Sequence, residues 1–187
     1  LATFGSEIAV VSMLPMYFSA TFGYTPTQSA FLAGCFMAMN LVARPGGGYL
    51  SDKIGRKRTL LMTVAGSAAG YYGMSLMTPD WSFLHIAVVI VFCSFFVQAG
   101  AGATFGIVPT IKRRLTGQIA GTTGAYGNIG SAVYLLIFTF TDAPKLFFII
   151  AVTCVVVGVL IQLFLEEPKG HIAEVLPDGS VQLIDVT

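Results

Sequence analysis

The sequence predicts an all-α membrane protein built from six transmembrane helices. Hydrophobic residues make up 55% of its 187 residues and charged residues only 10%, whereas a soluble domain carries about 25% charged residues. The apolar residues gather in long stretches, and no stretch alternates with the period of two that lipid-facing barrel strands require. This composition argues against most soluble enzymes, nucleic-acid-binding proteins and disordered proteins.

Six apolar stretches approach the roughly 20 residues that a helix needs to cross a bilayer. They define a membrane domain, residues 1–165, with predicted spans at about 1–20, 29–50, 59–77, 83–108, 119–141 and 146–165. Turn residues separate them, including Gly23, Pro79 and Pro144. The chain starts at Leu1 inside an apolar run, without the basic segment that opens a signal peptide. We therefore expect it to be a piece of a longer membrane protein.

Lysine and arginine residues collect in two of the connections between spans. They lie in the second and fourth connections, at Lys53, Arg56, Lys57, Arg58, Lys112, Arg113 and Arg114. Cytoplasmic loops of membrane proteins carry an excess of lysine and arginine. Loops 51–58 and 109–118 are therefore predicted to lie in the cytoplasm, with the C-terminus on the same side of a plasma (inner) membrane.

Residues 166–187 form a polar tail that follows the last span. Within it, 172–176 and 180–186 flank Pro177-Asp178-Gly179, a triplet with the residues that favour a turn. The pattern is compatible with a short hairpin, although an isolated hairpin is marginally stable in water. Two interpretations stay open for this cytoplasmic tail: a regulatory or docking element, and a flexible end.

Two ionisable residues, Glu7 and Arg44, lie well inside predicted spans. An arginine near the bilayer centre costs at least ~2.5–3.5 kcal/mol on insertion scales. Asn40 lies one turn before Arg44 and shares its helix face, and Pro45 removes a backbone donor directly after it. The three glycines 46–48 then allow close approach of another helix or a ligand. This polar face is typical of a binding site rather than of a lipid-facing surface.

Arg44 restricts the kind of ligand that such a site accepts. Its planar guanidinium is always charged and matches planar or tetrahedral oxyanions. Glu7 is the counter-charge that the spans supply, so one interpretation is a structural Glu7–Arg44 ion pair. The interpretation that we favour is anion binding by Arg44. Snorkelling fits less well, because roughly eight residues, about 12 Å of helix, separate Arg44 from the interfacial Asp52.

Glycines recur on two further spans. Gly100, Gly102 and Gly106 line the fourth, and the fifth repeats glycine every third residue, at Gly121, Gly124, Gly127 and Gly130. Small residues let helix backbones touch in a bilayer, and plain helix packing explains most of these positions. Asn128 lies among them, and a buried amide requires hydrogen-bond partners or a ligand.

Several kinds of chemistry find no support in the sequence. With His85 and His171 as its histidines, the chain cannot build a transmembrane haem site with two histidine ligands. The cysteines Cys35, Cys93 and Cys154 fall in three separate spans without metal-type spacing. No catalytic constellation is apparent at membrane depth. We expect no enzymatic activity, no metal, no cofactor and no nucleic-acid partner.

The segment 48–58, GYLSDKIGRKR, resembles the loop signature of the major facilitator superfamily, G-x-L-x-D-[RK]-x-G-[RK]-[RK]. In that family the loop joins the second and third helices of a six-helix half and acts as a latch between the two halves. The resemblance implies the same latch role for Gly48, Asp52, Gly55, Arg56 and Lys57.

Further segments resemble the nitrate/nitrite porter family, closest to its high-affinity permease branch. Residues 40–49, NLVARPGGGY, are similar to the eighth helix, whose arginine contacts nitrate, and 102–109 are similar to the tenth. Residues 121–131 resemble the glycine-rich nitrate signature of the eleventh helix, and 2–6 the start of the seventh, where an aromatic flanks the substrate. The resemblance implies the C-terminal half of a twelve-helix carrier.

On this resemblance, the implied function is secondary active transport of nitrate, or of nitrite, with Arg44, Asn128, Phe4 and Asn40 at the substrate. The missing N-terminal six-helix half is expected to supply a second arginine. Uptake of an anion against an inside-negative potential needs more than one proton per anion for net positive charge movement, at ~2.3 kcal/mol per charge per 100 mV. Glu7 is therefore the candidate proton-coupling residue.

Two alternatives to nitrate transport remain open on the sequence. One is a carrier of the same superfamily for another small anion or a drug, in which Arg44 neutralises a carboxylate substrate. The other is a membrane subunit or docking protein that does not transport.

Overall fold

The computed structural model describes residues 2–111, 113–165, 170–175 and 181–186. Helices dominate these residues, and a two-stranded hairpin follows them. The helices are α1 (Phe4–Phe22), α2 (Pro26–Ala38), α3 (Asn40–Ile54), α4 (Arg56–Ser75), α5 (Phe83–Ile111), α6 (Thr116–Phe138) and α7 (Ala143–Phe164), with a short 3-10 helix at Arg113–Leu115. The helical class that the sequence predicts for the membrane domain is therefore observed.

The second predicted span, 29–50, lies in two helices rather than in one. The helical pattern is interrupted at Met39, between α2 and α3. Three residues earlier, the Phe36 carbonyl accepts a hydrogen bond from Ser94 Oγ of α5. In a continuous helix that carbonyl accepts a hydrogen bond from the backbone N–H of residue 40. A side chain that inserts into this ladder is a recognised cause of a helix break.

Residues at the helix ends explain why the connections are short. Gly23 ends α1 in the left-handed conformation, with φ of 64°, and Gly55 joins α3 to α4 with φ of 98°. Thr25 and Gln28 form a reciprocal capping box at the start of α2, with Pro26 in the first turn. Glycine tolerates positive φ without steric cost, and the capping box satisfies amides that the helix leaves free.

Among the residues that the structure describes, two helices are long and apolar enough to cross a membrane by length and composition. They are Phe83–Val108 of α5 and Ala143–Phe164 of α7, with mean hydropathies of 2.2 and 2.8. The halves of the broken span are shorter than the roughly 20 residues required, since α2 has 13 residues and α3 has 15. The helical architecture of the described residues up to 165 is therefore observed, and the set of six membrane spans stays a prediction.

Large apolar side chains occupy both the inside and the outside of the helical bundle. Tyr71, Phe18 and Phe147 are among the largest that are fully buried, whereas Leu41 and Phe140 are 82% and 83% exposed. A water-soluble protein rarely exposes apolar side chains in extended patches. The many exposed apolar residues agree with the predicted lipid environment.

Glycines let α3 and α5 approach at backbone distance. A Cβ atom at Gly47 would overlap the backbone of Ala99, and one at Gly102 would overlap the carbonyl of Arg44. Side chains larger than hydrogen are therefore excluded at both positions. This close contact between α3 and α5 fixes the backbone position of Arg44.

The tail contains the hairpin that the sequence allows. Strands β1 (Gly170–Val175) and β2 (Val181–Val186) pair antiparallel, with Gly170 opposite Val186 and Val175 opposite Val181. The turn triplet 177–179 lies outside the described residues.

The adjacent residues Gly46 and Gly47 provide a matched test of the α3–α5 contact. Gly47→Ala should destabilise the protein by about 1–3 kcal/mol because its methyl group has no space against Ala99. Gly46→Ala meets open space and should be neutral or stabilising by up to ~1 kcal/mol through helix propensity. Thermal unfolding in detergent measures both. Equal midpoints for the two variants would contradict the packing described here.

Candidate functional site

Glu7 and Arg44 form an ion pair between α1 and α3. Arg44 Nη2 donates to Glu7 Oε2 at 2.7 Å, and the two side chains are 30% and 5% exposed, respectively. The structural ion pair, one of two interpretations that the sequence leaves open, is therefore observed. The anion-binding interpretation stays a prediction. It is compatible with the pair, because a guanidinium has five N–H donors.

Phe4 lies beneath the guanidinium on the same face of α1 as Glu7. The guanidinium carbon of Arg44 lies 5.6 Å from the centroid of the Phe4 ring, within the range of a cation–π interaction. Phe105 of α5 meets Phe4 edge-on, with 6.0 Å between ring centroids. On the α6 side the ring packs against Gly127, where a Cβ atom would overlap it. Phe4 therefore forms one wall of the site.

Arg44 retains hydrogen-bonding capacity that its neighbours do not use. Among the described residues, its Nε atom is buried without an acceptor. An unsatisfied buried donor costs free energy, about 1–3 kcal/mol. The side chain is nevertheless 30% exposed, so a solute can reach part of the guanidinium. The site combines a fixed cation, an aromatic wall and unused donors, a combination that suits an oxyanion.

The two asparagines predicted for the substrate lie near the site without bonding to Arg44. Asn40 is half-buried one turn before Arg44 on α3, and Asn128 is exposed on α6 beside Gly127, the residue that contacts Phe4. In the described part of the chain, no hydrogen bond joins either amide to the guanidinium. The structure therefore brings together Phe4, Glu7 and Arg44, with the asparagines at the margin.

The glycines of α6 fall into two pairs with different surroundings. Gly127 and Gly130 are buried against α1, and a Cβ atom on Gly5 would lie 2.9 Å from the Gly127 carbonyl oxygen. Gly121 and Gly124, by contrast, face open space. Helix packing within this chain accounts for the first pair only.

The predicted latch residues lie at the end of α3 and the start of α4. Gly48 packs near Gly102 and Gly106, Asp52 is exposed and Arg56 is half-buried. Lys57 Nζ donates to the backbone carbonyl of Gln162, at 2.8 Å, near the C-terminal end of α7. A cation is favourable at a helix C-terminus. Lys57 thus attaches the loop to the last helix, a contact that no sequence pattern predicted.

A buried hydroxyl network also escaped the sequence prediction. Tyr71 OH of α4 donates to Ser6 Oγ at 2.9 Å, and Ser6 Oγ donates to the Ala2 carbonyl at 2.6 Å. Both side chains are fully buried. Since Ser6 directly precedes Glu7, the network fixes α1 against α4 beside the ion pair. Tyr71 and Ser6 are 65 residues apart, and nothing local in the sequence signals their contact.

The cysteines and the other potential metal ligands form no metal site within the described residues. There, no three or more His, Cys, Asp or Glu side chains are placed to hold a metal ion. Cys93 and Cys154 are free and buried, and Cys154 Sγ lies 3.7 Å from the Ala2 carbonyl oxygen. The site chemistry visible in the structure is therefore that of Arg44 and its neighbours.

Comparison with known proteins gives one family and a consistent group of relatives. The family model of the Major Facilitator Superfamily matches residues 1–183. The chain is 44% identical over 174 residues to a protein named nitrate/nitrite transporter NrtP in Nostoc punctiforme, covering 92% of this chain and 35% of that protein. It is 36% identical over 141 residues to the high-affinity nitrate transporter 2.3 of Oryza sativa subsp. japonica, covering 73% of this chain and 27% of that protein. The chain therefore spans between about a quarter and about a third of the length of these curated relatives.

The unequal exposure of Glu7 and Arg44 gives a test of the ion pair. Arg44→Met leaves a carboxylate that is 5% exposed, and breaking a buried pair in this way should cost on the order of 3 kcal/mol. Glu7→Gln should cost less, because Arg44 is 30% exposed and keeps some hydration. The double variant, which carries Glu7→Gln and Arg44→Met together, should regain part of the stability that Arg44→Met alone loses. Unfolding midpoints in detergent at pH 8 measure all three variants. A double variant that loses the sum of the single effects would contradict the pairing.

Proposed function

The chain belongs to the major facilitator superfamily, and from this membership we propose that it supplies six of the twelve membrane-spanning helices of a secondary carrier for nitrate. The observation that carries the proposal is the Arg44 guanidinium, which is held between Glu7 and Phe4, is 30% exposed and donates a single hydrogen bond, from Nη2, among the described residues. The names of the relatives, which are nitrate/nitrite or high-affinity nitrate transporters, support nitrate as the anion. Transport, rather than an enzymatic reaction, is the activity proposed.

The geometry around Arg44 suits a small planar anion. Nitrate is planar and trigonal, and a guanidinium donates two parallel N–H bonds to two of its oxygens. Phe4 limits the site on one side, at 5.6 Å from the guanidinium carbon. We assign Asn40 and Asn128 to the rim of the site, where their amides reach the third oxygen. Nitrite offers the same pair of oxygens and is a second expected substrate.

A second six-helix half completes the proposed carrier. Carriers of this kind hold their substrate near the midplane, between two halves that rock around it. One side of the present site is open, since Asn128 is exposed and Gly121 and Gly124 face open space. We place the N-terminal half against that side, with a second arginine directed at the anion. These residues alone are then not expected to transport.

The same proposal fixes the location and orientation of the chain. The carrier lies in the plasma (inner) membrane, with loops 51–58 and 109–118 and the tail 166–187 in the cytoplasm. The basic residues of these loops support this orientation. Gly48, Asp52, Gly55, Arg56 and Lys57 form the latch that reaches toward the other half on the cytoplasmic side.

Proton coupling supplies the driving force in this proposal. Nitrate uptake into an inside-negative cell opposes ~2.3 kcal/mol per charge per 100 mV, so net positive charge must move with each anion. Glu7 is a buried carboxylate next to the proposed anion site. We therefore assign Glu7 as a proton site of the carrier.

Arg44→Lys separates a nitrate carrier from a carrier that only needs a positive charge. Lysine keeps the charge and loses the planar fork, so the KM for nitrate uptake should rise at least tenfold, about 1.4 kcal/mol. Uptake of labelled nitrate by cells that express the complete carrier measures this effect. Arg58→Lys, at an exposed cytoplasmic arginine, is the matched control and should change little. An unchanged KM in the Arg44→Lys variant would exclude this site.

A further inference from the structure

We propose that the Glu7 carboxylate is a tethered competitor of the transported anion. In its ionised form it neutralises the Arg44 guanidinium that the anion needs, and protonation restores the uncompensated positive charge. The inference rests on the proposed anion-carrier function and adds how the anion site is regulated.

The hydrogen-bond geometry of Arg44 creates the competition. A guanidinium presents parallel donors to a planar anion in two ways, end-on from Nη1 and Nη2 or side-on from Nε and Nη2. Nε is buried, so the side-on pair is closed to a solute. The end-on pair remains, and its Nη2 atom already donates to Glu7 Oε2 at 2.7 Å. Nη2 carries two N–H groups, so it can donate to the Glu7 carboxylate and to the anion together, but the two negative groups then share one nitrogen and compete for the same positive charge.

Charge reinforces this competition. The ionised Glu7–Arg44 pair has no net charge, and a bound anion would place two negative charges against one guanidinium. Such repulsion is strong where water is scarce, and Glu7 is only 5% exposed. When Glu7 takes up a proton, the guanidinium is left as an unpaired cation, which attracts the anion. By linkage, proton binding and anion binding then strengthen each other to the same extent.

The other titratable groups near α1 have different partners. From α4, Tyr71 OH donates to Ser6 Oγ, and from α7, Cys154 Sγ lies at the Ala2 carbonyl. The remaining titratable side chains within the helices that pack on α1 include Cys35, His85, Cys93, Tyr126 and Tyr134. Among the described residues, Arg44 of α3 is the one charged group in contact with Glu7. Protonation of Glu7 therefore changes the electrostatic environment of Arg44 directly.

This mechanism assigns one proton to the half of the carrier described here. Net positive charge movement with a monovalent anion needs more than one proton. The Glu7 proton is one of these, and it governs whether the anion binds.

Nitrate binding to the purified complete carrier tests the competition directly. Calorimetric titration with nitrate from pH 5.5 to 8.5 should show the wild-type dissociation constant rising with pH, by up to tenfold per pH unit, the limit that linkage to one proton sets. Glu7→Gln should bind nitrate at every pH at least as tightly as the wild-type protein at pH 5.5. Glu7→Asp retains a carboxylate and should retain the pH dependence.

The outcomes distinguish this inference from the proposed function. A Glu7→Gln variant that keeps the wild-type pH dependence would overturn the competition while leaving nitrate binding intact. A folded Glu7→Gln variant without nitrate binding would overturn it as well, because Glu7 would then position Arg44. A wild-type protein that binds no nitrate, or an Arg44→Gln variant that binds it equally well, would remove the anion site itself and the proposed function with it.

Discussion

A guanidinium in an apolar helical bundle has to be neutralised, and the rest of the site depends on how this chain does so. Arg44 donates to Glu7, which is buried on α1, and this ion pair joins α1 to α3. The pair is asymmetric, since the carboxylate is 5% exposed and the arginine 30%. The buried Glu7 carboxylate therefore needs the Arg44 guanidinium to compensate its charge, whereas the partly exposed guanidinium remains accessible to a solute.

The packing around the ion pair explains why so many small residues surround it. Gly102 leaves room for the Arg44 backbone, and Gly127 leaves room for the Phe4 ring. In a bilayer no hydrophobic force drives helices together, so close backbone contact and hydrogen bonds stabilise the assembly. Ser6 and Tyr71 provide such a bond beside Glu7. These contacts restrict α1, α3, α5 and α6 around one cation, and they leave the Asn128 side of the site open.

The sequence predicted those parts of the site that depend on composition and depth. Because charge is scarce, Glu7 and Arg44 are conspicuous as isolated residues in apolar stretches. The helical class follows from the residues alone, whereas the ion pair was the less favoured of two interpretations. Phe4 was assigned only through a family resemblance, since an aromatic in an apolar helix carries no local signal. The break at Met39 was not predicted, because it accompanies a hydrogen bond between Ser94 and the Phe36 carbonyl, which are 58 residues apart. The contact of Lys57 with Gln162 spans 105 residues and was missed for the same reason.

In the carrier that we propose, Arg44 exchanges an internal carboxylate for an external anion. A structure of the complete carrier with nitrate, determined at pH 5.5, would reveal this exchange. We expect density for a planar anion within about 2.7–3.2 Å of the Arg44 terminal nitrogens, beside the Phe4 ring, with the Glu7 carboxylate withdrawn from Nη2. Nitrate bound elsewhere in the carrier, with the 2.7 Å contact between Glu7 and Arg44 retained, would contradict it.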